Sequence, residues 1–277
     1  MKNISSRRIF LTGSTGFLGC HVDSILNSRG ITAKTSTARL HEMRSKDLKD
    51  IDTVIHCAGL IPDKSRIDSD FIHTNVAGTS RLIECCKLAG VKRFIFVSSM
   101  GVKFPSAYAK SKLEAEDLVK KSGLDWLILR PAHIYGPNHE LDTLFRLLSK
   151  RIFCAMLGVG RYPLHIIYVK DCAKAIVDAA LSDKIHDTFN IIANNIDEIT
   201  YYRTVRDAMS ANFILIPIPT FIARYRYGQN NIKVRTEGLL VPGIKDWPIN
   251  NTPIHDAINE AYRALSITKT PDSVLNR

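Results

Sequence analysis

The strongest constraint on this chain is a run of glycines placed directly after a short apolar stretch. Arg8 to Thr12 reads as a buried strand that stops at Gly13, and Gly16 and Gly19 follow at even spacing. Phe17 to Ser28 then carries helical spacing. A strand that ends in glycines and opens a helix gathers free backbone N–H groups and the positive end of the helix dipole at one point. The first glycine permits a tight turn, the second lets the backbone approach a pyrophosphate, and the third lets helix and strand pack closely. The segment therefore reads as a dinucleotide loop, with spacing G-x-x-G-x-x-G rather than G-x-G-x-x-G.

The next hundred residues repeat the alternation. Ile31 to Thr37, Thr53 to Cys57, Arg93 to Ser98 and Asp125 to Arg130 are strand-like, apolar on both faces or β-branched. Helical spacing covers Ile67 to Ala89, closed by Gly90, and Ala107 to Ser122, closed by Gly123. Strands of this kind separated by helices predict a parallel sheet covered on both sides, an α/β doubly wound fold. After Pro131 the rhythm loosens. Leu141 to Lys150 and Asp171 to Leu181 read as helices, and Ile166 to Val169 and Thr188 to Ile192 as strands. We therefore expect a Rossmann-type domain over 1–193, with 135–164 contributing to a substrate lobe, and a small C-terminal substrate-binding lobe over 194–277.

Composition narrows the partners. Hydrophobic residues make up 45% and charged residues 23% of the 277, the balance of a soluble globular protein. No apolar run reaches membrane-span length, and the glycines interrupt any signal-peptide core, so a cytoplasmic location is expected. The six cysteines form no C-x-x-C pair and lie mostly in apolar segments, which predicts buried reduced thiols rather than a disulfide framework or metal site. The net charge of +11 is dispersed, with no block of like charge, and suits phosphate-bearing ligands.

A carboxylate that binds the ribose hydroxyls usually stands about 20 residues beyond such a loop. No Asp or Glu lies between Asp23 and Glu42; the slot falls near Thr37, followed by Ala38 and Arg39. A missing carboxylate beside an arginine favours NADP(H) over NAD(H).

Tyr108 and Lys112 stand i, i+4 on a predicted helix and so share a face. An adjacent ammonium and an oxidised nicotinamide both lower a phenol pKa from its usual value of about 10. Ser98-Ser99 ends the preceding strand and can offer a hydroxyl to the same substrate oxygen.

Several segments resemble the extended short-chain dehydrogenase/reductase group. Thr12-Gly13-Ser14-Thr15-Gly16-Phe17-Leu18-Gly19 is similar to its T-G-x-x-G-[FY]-[IL]-G signature. Asp52 to Gly59 resembles its D-x-V-[IV]-H-x-A-[AG] strand and turn, and Asn75 to Thr79 its N-x-x-G-T helix. Arg130 to Pro137 resembles R-P-x-x-[IV]-Y-G-P, and Tyr168 to Ala173 resembles Y-V-x-D-x-A. These similarities run in family order from Arg8 to about Ile192. The resemblance implies a catalytic set of Ser99, Tyr108, Lys112 and Asn75. It implies cofactor contacts from Thr12, Gly13, Thr15, Gly16, Phe17, Leu18, Gly19, Arg39, Cys57, Ala58 and Gly59. Tyr108, Lys112, Pro131 and Ile134 complete the implied cofactor set.

The resemblance is to nucleotide-sugar 4-epimerases and 4-keto-reductases, and to less specific NAD(P)-dependent ketone reductases. It implies hydride transfer at a sugar carbon, most readily of a nucleotide-linked sugar, and a homodimer through Ile67–Ala89 and Ala107–Ser122. Two departures bear on substrate. The segment between Ser99 and Tyr108 is short for the group. The basic residue that precedes Y-V-x-D is replaced near Leu164, with His165 next and Arg161 upstream. Arg161, His165, Arg224 and Arg226 are the candidate substrate contacts, the last two in a basic-aromatic stretch that also holds Lys233 and Arg235. Alternatives are an NADPH-dependent reductase of another small ketone or aldehyde, and a non-catalytic cofactor-binding regulator or RNA-associated scaffold. Scaffolds of that kind characteristically lose the Tyr/Lys pair, which is present here, so nucleic acid is disfavoured. The apolar run from Phe213 to Ile222 reads as a buried pocket wall ahead of a membrane-contacting segment.

Overall fold

The computed structural model describes residues 7–36, 38–62, 66–227, 237–240 and 243–267. In chain order the strands are β1 (Ile9–Thr12), β2 (Lys34–Thr35), β3 (Thr53–His56), β4 (Arg93–Val97), β5 (Asp125–Pro131) and β6 (His133–Tyr135). They continue as β7 (Phe153–Leu157), β8 (Pro163–Tyr168), β9 (Asp187–Ile191), β10 (Asn194–Asp197), β11 (Ile214–Ile218) and β12 (Lys245–Asp246). The α-helices are α1 (Phe17–Ser28), α2 (Asp68–Phe71), α3 (Gly78–Ala89), α4 (Ala107–Lys120), α5 (Glu140–Leu148), α6 (Val169–Leu181), α7 (Glu198–Ala208), α8 (Thr220–Tyr227) and α9 (Ile254–Ile267).

The chain divides into two compact units. The first comprises 1–132, 170–192 and 239–249; the second comprises 133–169, 193–238 and 250–277. In the first unit seven parallel strands run in the order β12-β9-β5-β4-β3-β1-β2. The chain leaves β1 to β2 on one side and returns to β3 on the other. Ligands bind outside the carboxyl ends of strands at such a reversal. β1, β3 and β4 are buried along their whole length. That burial explains their unbroken apolar sequence, and Phe10, Val54, Phe94 and Ile128 pack with α3 and α4 residues such as Leu82 and Ala115. The expected Rossmann-type doubly wound sheet is present.

Two expected elements differ. The strand predicted over Ile31–Thr37 shrinks to Lys34–Thr35, whose side chains are both exposed at the sheet edge. The long helix predicted over Ile67–Ala89 is interrupted by a six-residue π-helical stretch, Ile72–Ala77, between α2 and α3. The inserted turn rotates Asn75 inward, where it is 3% exposed.

The second unit holds a three-stranded sheet, β10-β8-β6, and a parallel pair, β11-β7, with α5, α7, α8 and α9. Phe145 of α5 meets Tyr262 of α9 edge-on, with centroids 5.1 Å apart. Among the described residues no helix is long and apolar enough to cross a membrane, and no metal-holding cluster of His, Cys, Asp or Glu occurs. Of the six cysteines, Cys85, Cys86, Cys154 and Cys172 are buried, Cys57 is half-buried and Cys20 is exposed; all six are free thiols.

Candidate active site

The glycine loop closes through one short bond: Gly16 N–H donates to the Gly13 carbonyl at 3.0 Å. Gly13 has φ +72°, and a β-carbon there would lie 2.7 Å from the Ala58 nitrogen. A β-carbon on Gly19 would run into the Gly13 carbonyl. The loop after β1 and the turn after β3 are thus packed backbone to backbone, which only glycine permits. Phe17 and Leu18 are half-buried at the start of α1, Phe17 edge-on to His21. Thr15 and Gly16 stay exposed.

Buried polar groups fix the two turns. Thr12 Oγ1 lies 2.7 Å from His56 Nδ1 and accepts from Ala58 N–H at 3.2 Å. His56 Nε2 lies 2.9 Å from Thr79 Oγ1. Burial, and secondarily the Lys112 charge, hold the His56 pKa down at about 3, so the ring is neutral.

A cleft of about 650 Å³ opens here, lined by Thr12, Gly13, Thr15, Ala58 and Gly59 on one side and Ser36, Ala38 and Arg39 on another. Its size, the glycine walls at Gly13 and Gly59, and the N-terminus of α1, which no side chain caps, fit a dinucleotide. Arg39 is exposed, and its backbone N–H donates to Glu42 Oε2 at 3.2 Å. Arg66 also lines the cleft. Thr37, the expected ribose slot, lies outside the described residues.

The Tyr108 hydroxyl hydrogen-bonds with Ser99, whose Oγ also accepts from Gly101 N–H at 3.0 Å. The Tyr108 ring stands edge-on to Phe71 at 5.9 Å. Ser106 caps α4, its hydroxyl accepting from Ala109 N–H at 3.0 Å, so the helix begins just before Tyr108. Lys112, one turn on, is 6% exposed; its Nζ donates to the Val97 carbonyl at 2.9 Å and lies 4.9 Å from the Phe96 ring centroid. Burial pushes Lys112 down to about 8, against smaller opposing effects of Cys57 and Glu116. The Cys57 thiol is pushed up to about 12 by burial.

One electrostatic expectation is corrected. The sequence predicts that Lys112 and an oxidised nicotinamide together lower the Tyr108 pKa. In the chain itself the phenol is raised, because burial outweighs the Ser99 hydrogen bond, while Lys112 is engaged with Val97 and Phe96.

Asn75 ties the groups together. Its Oδ1 accepts from Leu60 N–H at 2.7 Å, and its Nδ2 donates to the Leu60 carbonyl at 3.1 Å and to Ser111 Oγ at 3.0 Å. A β-carbon on Gly59 would meet Asn75 Oδ1 at 3.1 Å and Lys112 Nζ at 3.4 Å. The first unit therefore brings Ser99, Tyr108, Lys112 and Asn75 together beside the Gly59 turn. Pro131 ends β5 and is buried in the same unit.

Sequence reasoning passed over a buried cluster on the next turn of α4. Arg130 donates to Glu116 through Nε at 2.8 Å and Nη2 at 2.6 Å, and Ser98 Oγ donates to Glu116 Oε1 at 2.6 Å. The signal was available: Glu116 continues the i, i+4 row of Tyr108 and Lys112. This cluster commits Ser98 to structure and leaves Ser99 to pair with Tyr108.

The other candidates lie in the second unit. Ile134 is half-buried in β6. Arg161 is exposed and ion-paired with Asp197 at 3.0 Å. His165 is 5% exposed in β8, its ring in close contact with Gly238. Arg224 is exposed on α8, the Arg226 side chain lies outside the described residues, and so do Lys233 and Arg235. This unit has its own cleft of about 460 Å³, where Leu144, Leu147, Leu164 and Ile166 face Tyr201 and Tyr202.

A parallel sheet with a glycine loop, a Ser–Tyr hydroxyl pair and a buried lysine defines a nicotinamide-dependent oxidoreductase class. Residues 9–191 match the NAD dependent epimerase/dehydratase family, and the chain belongs to it. Ceramide reductase from Caulobacter vibrioides is 32% identical over 192 residues, 61% of this chain and 59% of that protein. UDP-glucose 4-epimerase from Vibrio cholerae is 26% identical over 284 residues, 84% of this chain and 86% of that one. UDP-glucuronic acid 4-epimerase from Bacillus cereus, solved in complex with NAD, shares the fold at TM-score 0.73 and 18% identity, covering 95% of this chain and 100% of that chain.

Proposed function

We propose that this chain is an NAD(P)-dependent oxidoreductase or epimerase that moves a hydride at a carbinol or ketone carbon of a nucleotide-linked sugar. The observation that carries the reading is the Tyr108–Ser99 hydroxyl pair beside buried Lys112 and the Asn75-braced turn. When bound, the nicotinamide gives or takes the hydride at its C4. Tyr108 exchanges a proton with the substrate oxygen, and Ser99 Oγ hydrogen-bonds that oxygen. A phenol raised by burial stays protonated near neutrality, which suits proton donation to a ketone. Lys112 keeps positive charge near the cofactor ribose, and Asn75 holds the Leu60 backbone in place. On this reading residues 1–193 serve the cofactor, with 135–164 contributing to the substrate lobe, and 194–277 serve the substrate.

NADP(H) is the cofactor we favour. The cleft presents Arg39, Arg66 and the Ser36 hydroxyl. Arginines suit the extra 2′-phosphate. Arg39→Ala should raise the Kd for NADPH about tenfold or more and leave that for NADH within about twofold, since one charged hydrogen bond is worth about 1.5–3 kcal/mol. Equal weakening of both cofactors would remove the preference.

A second reading, reduction of another small ketone, has one observation of its own. Among the described residues, the lining of the second unit's cleft includes no lysine or arginine, whereas a diphosphate calls for cations. A homodimer through α3 and α4 is part of the proposal, with Leu88 and Leu113 exposed on those helices; light scattering at several concentrations tests it. The whole reading is tested by mass spectrometry of the native protein for retained cofactor, followed by turnover with nucleotide sugars and simple ketones. Tight cofactor binding with no turnover on either panel would favour the scaffold alternative.

A further inference from the structure

The run around Phe213 to Ile222, expected to wall a pocket, is open to solvent over much of its length. In the parallel pair the register sets Phe153 beside Ile214 and Ala155 beside Ile216. Side chains alternate along a strand, so these four share one face. Phe153 is 53%, Ile214 56% and Ile216 41% exposed, and Ile152, just before β7, is 68% exposed. The opposite face carries Cys154 and Met156, both buried. Further along, Leu157 and Ile218 lie on the open face and are covered there by Ala223 of α8.

The helix that covers that end turns more apolar surface outward. Phe221 and Tyr225 are i, i+4 on α8, on the side away from Ala223, and are 72% and 96% exposed. Ile222 is 45% exposed. Large apolar side chains exposed together on one strand pair and its covering helix cost solubility and mark a docking surface.

Charge decides what docks. Residues 143–153 contain no Asp or Glu and hold Arg146, Lys150 and Arg151. Residues 208–225 contain no Asp or Glu and hold Arg224. Lys150 and Arg151, both exposed, lead directly into Ile152 and Phe153, and exposed Arg224 stands between Phe221 and Tyr225. Aliphatic and aromatic tips with a cationic rim suit the headgroup–acyl boundary of an anionic bilayer. A second copy docked face to face would set these cations against one another.

We propose that the outer face of β7 and β11, with α8, is a peripheral membrane-docking surface selective for anionic phospholipid. The test is flotation of the full chain with vesicles of equal parts phosphatidylglycerol and phosphatidylcholine, against vesicles of phosphatidylcholine alone. The wild type should float with the first and not the second, and high salt should release it. The double substitution Phe153→Ser and Phe221→Ser should weaken binding about tenfold or more, since each aromatic then forfeits its burial. Phe221→Trp should shift its emission to the blue when phosphatidylglycerol vesicles are added. Absence of flotation by the wild type, or unchanged flotation by the double variant, would overturn the proposal. A concentration-dependent dimer abolished by the double variant, without vesicle binding, would also overturn it and assign the face to a second copy.

Discussion

At the residue scale, the chemistry depends on how a few polar groups are buried. Lys112 has a folded pKa of about 8 against an ordinary 10.5. Between those values the unfolded chain holds more protons than the folded one, so stability rises with pH across that window. Below about pH 8 the buried ammonium is a destabilising charge. Lys112→Met removes this dependence. The stability of the wild type relative to that variant should rise by on the order of 3 kcal/mol across the window, read from urea midpoints of the cofactor-free proteins. A constant difference would mean that Lys112 is not desolvated. His56 has the same sign at lower pH. Its pKa falls from 6.5 to about 3, so the stability it lends is lost as pH drops through that range. Asn75→Ala leaves the Leu60 N–H and carbonyl without their partner, at a cost of about 1–3 kcal/mol, and should weaken cofactor binding as the Gly59 turn loosens.

At the element scale, α4 carries most of the site because one helical row presents Tyr108, Lys112 and Glu116 in succession. Glu116 is fully buried against Arg130, which is 7% exposed. Glu116→Ala strands that arginine and should cost about 3–5 kcal/mol by urea denaturation. Arg130 and Glu116 should couple strongly in a double-mutant cycle, whereas additive effects would deny that they act as a pair. The glycine loop behaves differently: Gly13→Ala meets both a left-handed φ and the Ala58 backbone, and should abolish cofactor binding. These elements were legible because their constraints are local. A glycine demanded by a turn and a tyrosine–lysine spacing on a helix can be read without the fold. The π-helical stretch at Ile72–Ala77 could not be read that way, since over six residues apolar spacing does not tell i→i+5 turns from α-helical ones. β2 was overextended because β-branched Ile31, Thr32, Thr35 and Thr37 look strand-like, although only an exposed edge pair forms.

At the scale of the whole molecule, the two units differ in how much of them the sequence discloses. The first unit has buried parallel strands in regular alternation as far as β9, so its cleft at the β1 reversal follows from pattern and chirality, whereas edge strand β12 comes from a segment expected in the C-terminal lobe. The second unit pairs β7 with β11 and β8 with both β6 and β10 across long sequence separations. No local periodicity announces such pairings, and the exposure of Phe153, Ile214 and Phe221 became visible only once their strands and helix were assembled. The same limit applies to the Tyr108 pKa, whose direction is set by burial rather than by sequence neighbours.

The central claim, that Tyr108 exchanges the proton at the reacting oxygen, is tested most directly by comparing wild type with Tyr108→Phe. The measurement is deuterium transfer from C4-deuterated NADPH to a panel of keto-sugar nucleotides and simple ketones, with cofactor Kd determined in parallel. The account predicts transfer by the wild type, a loss of about 10²–10⁴-fold in the variant, and a cofactor Kd changed by less than about threefold. Transfer by Tyr108→Phe at the wild-type rate would contradict it.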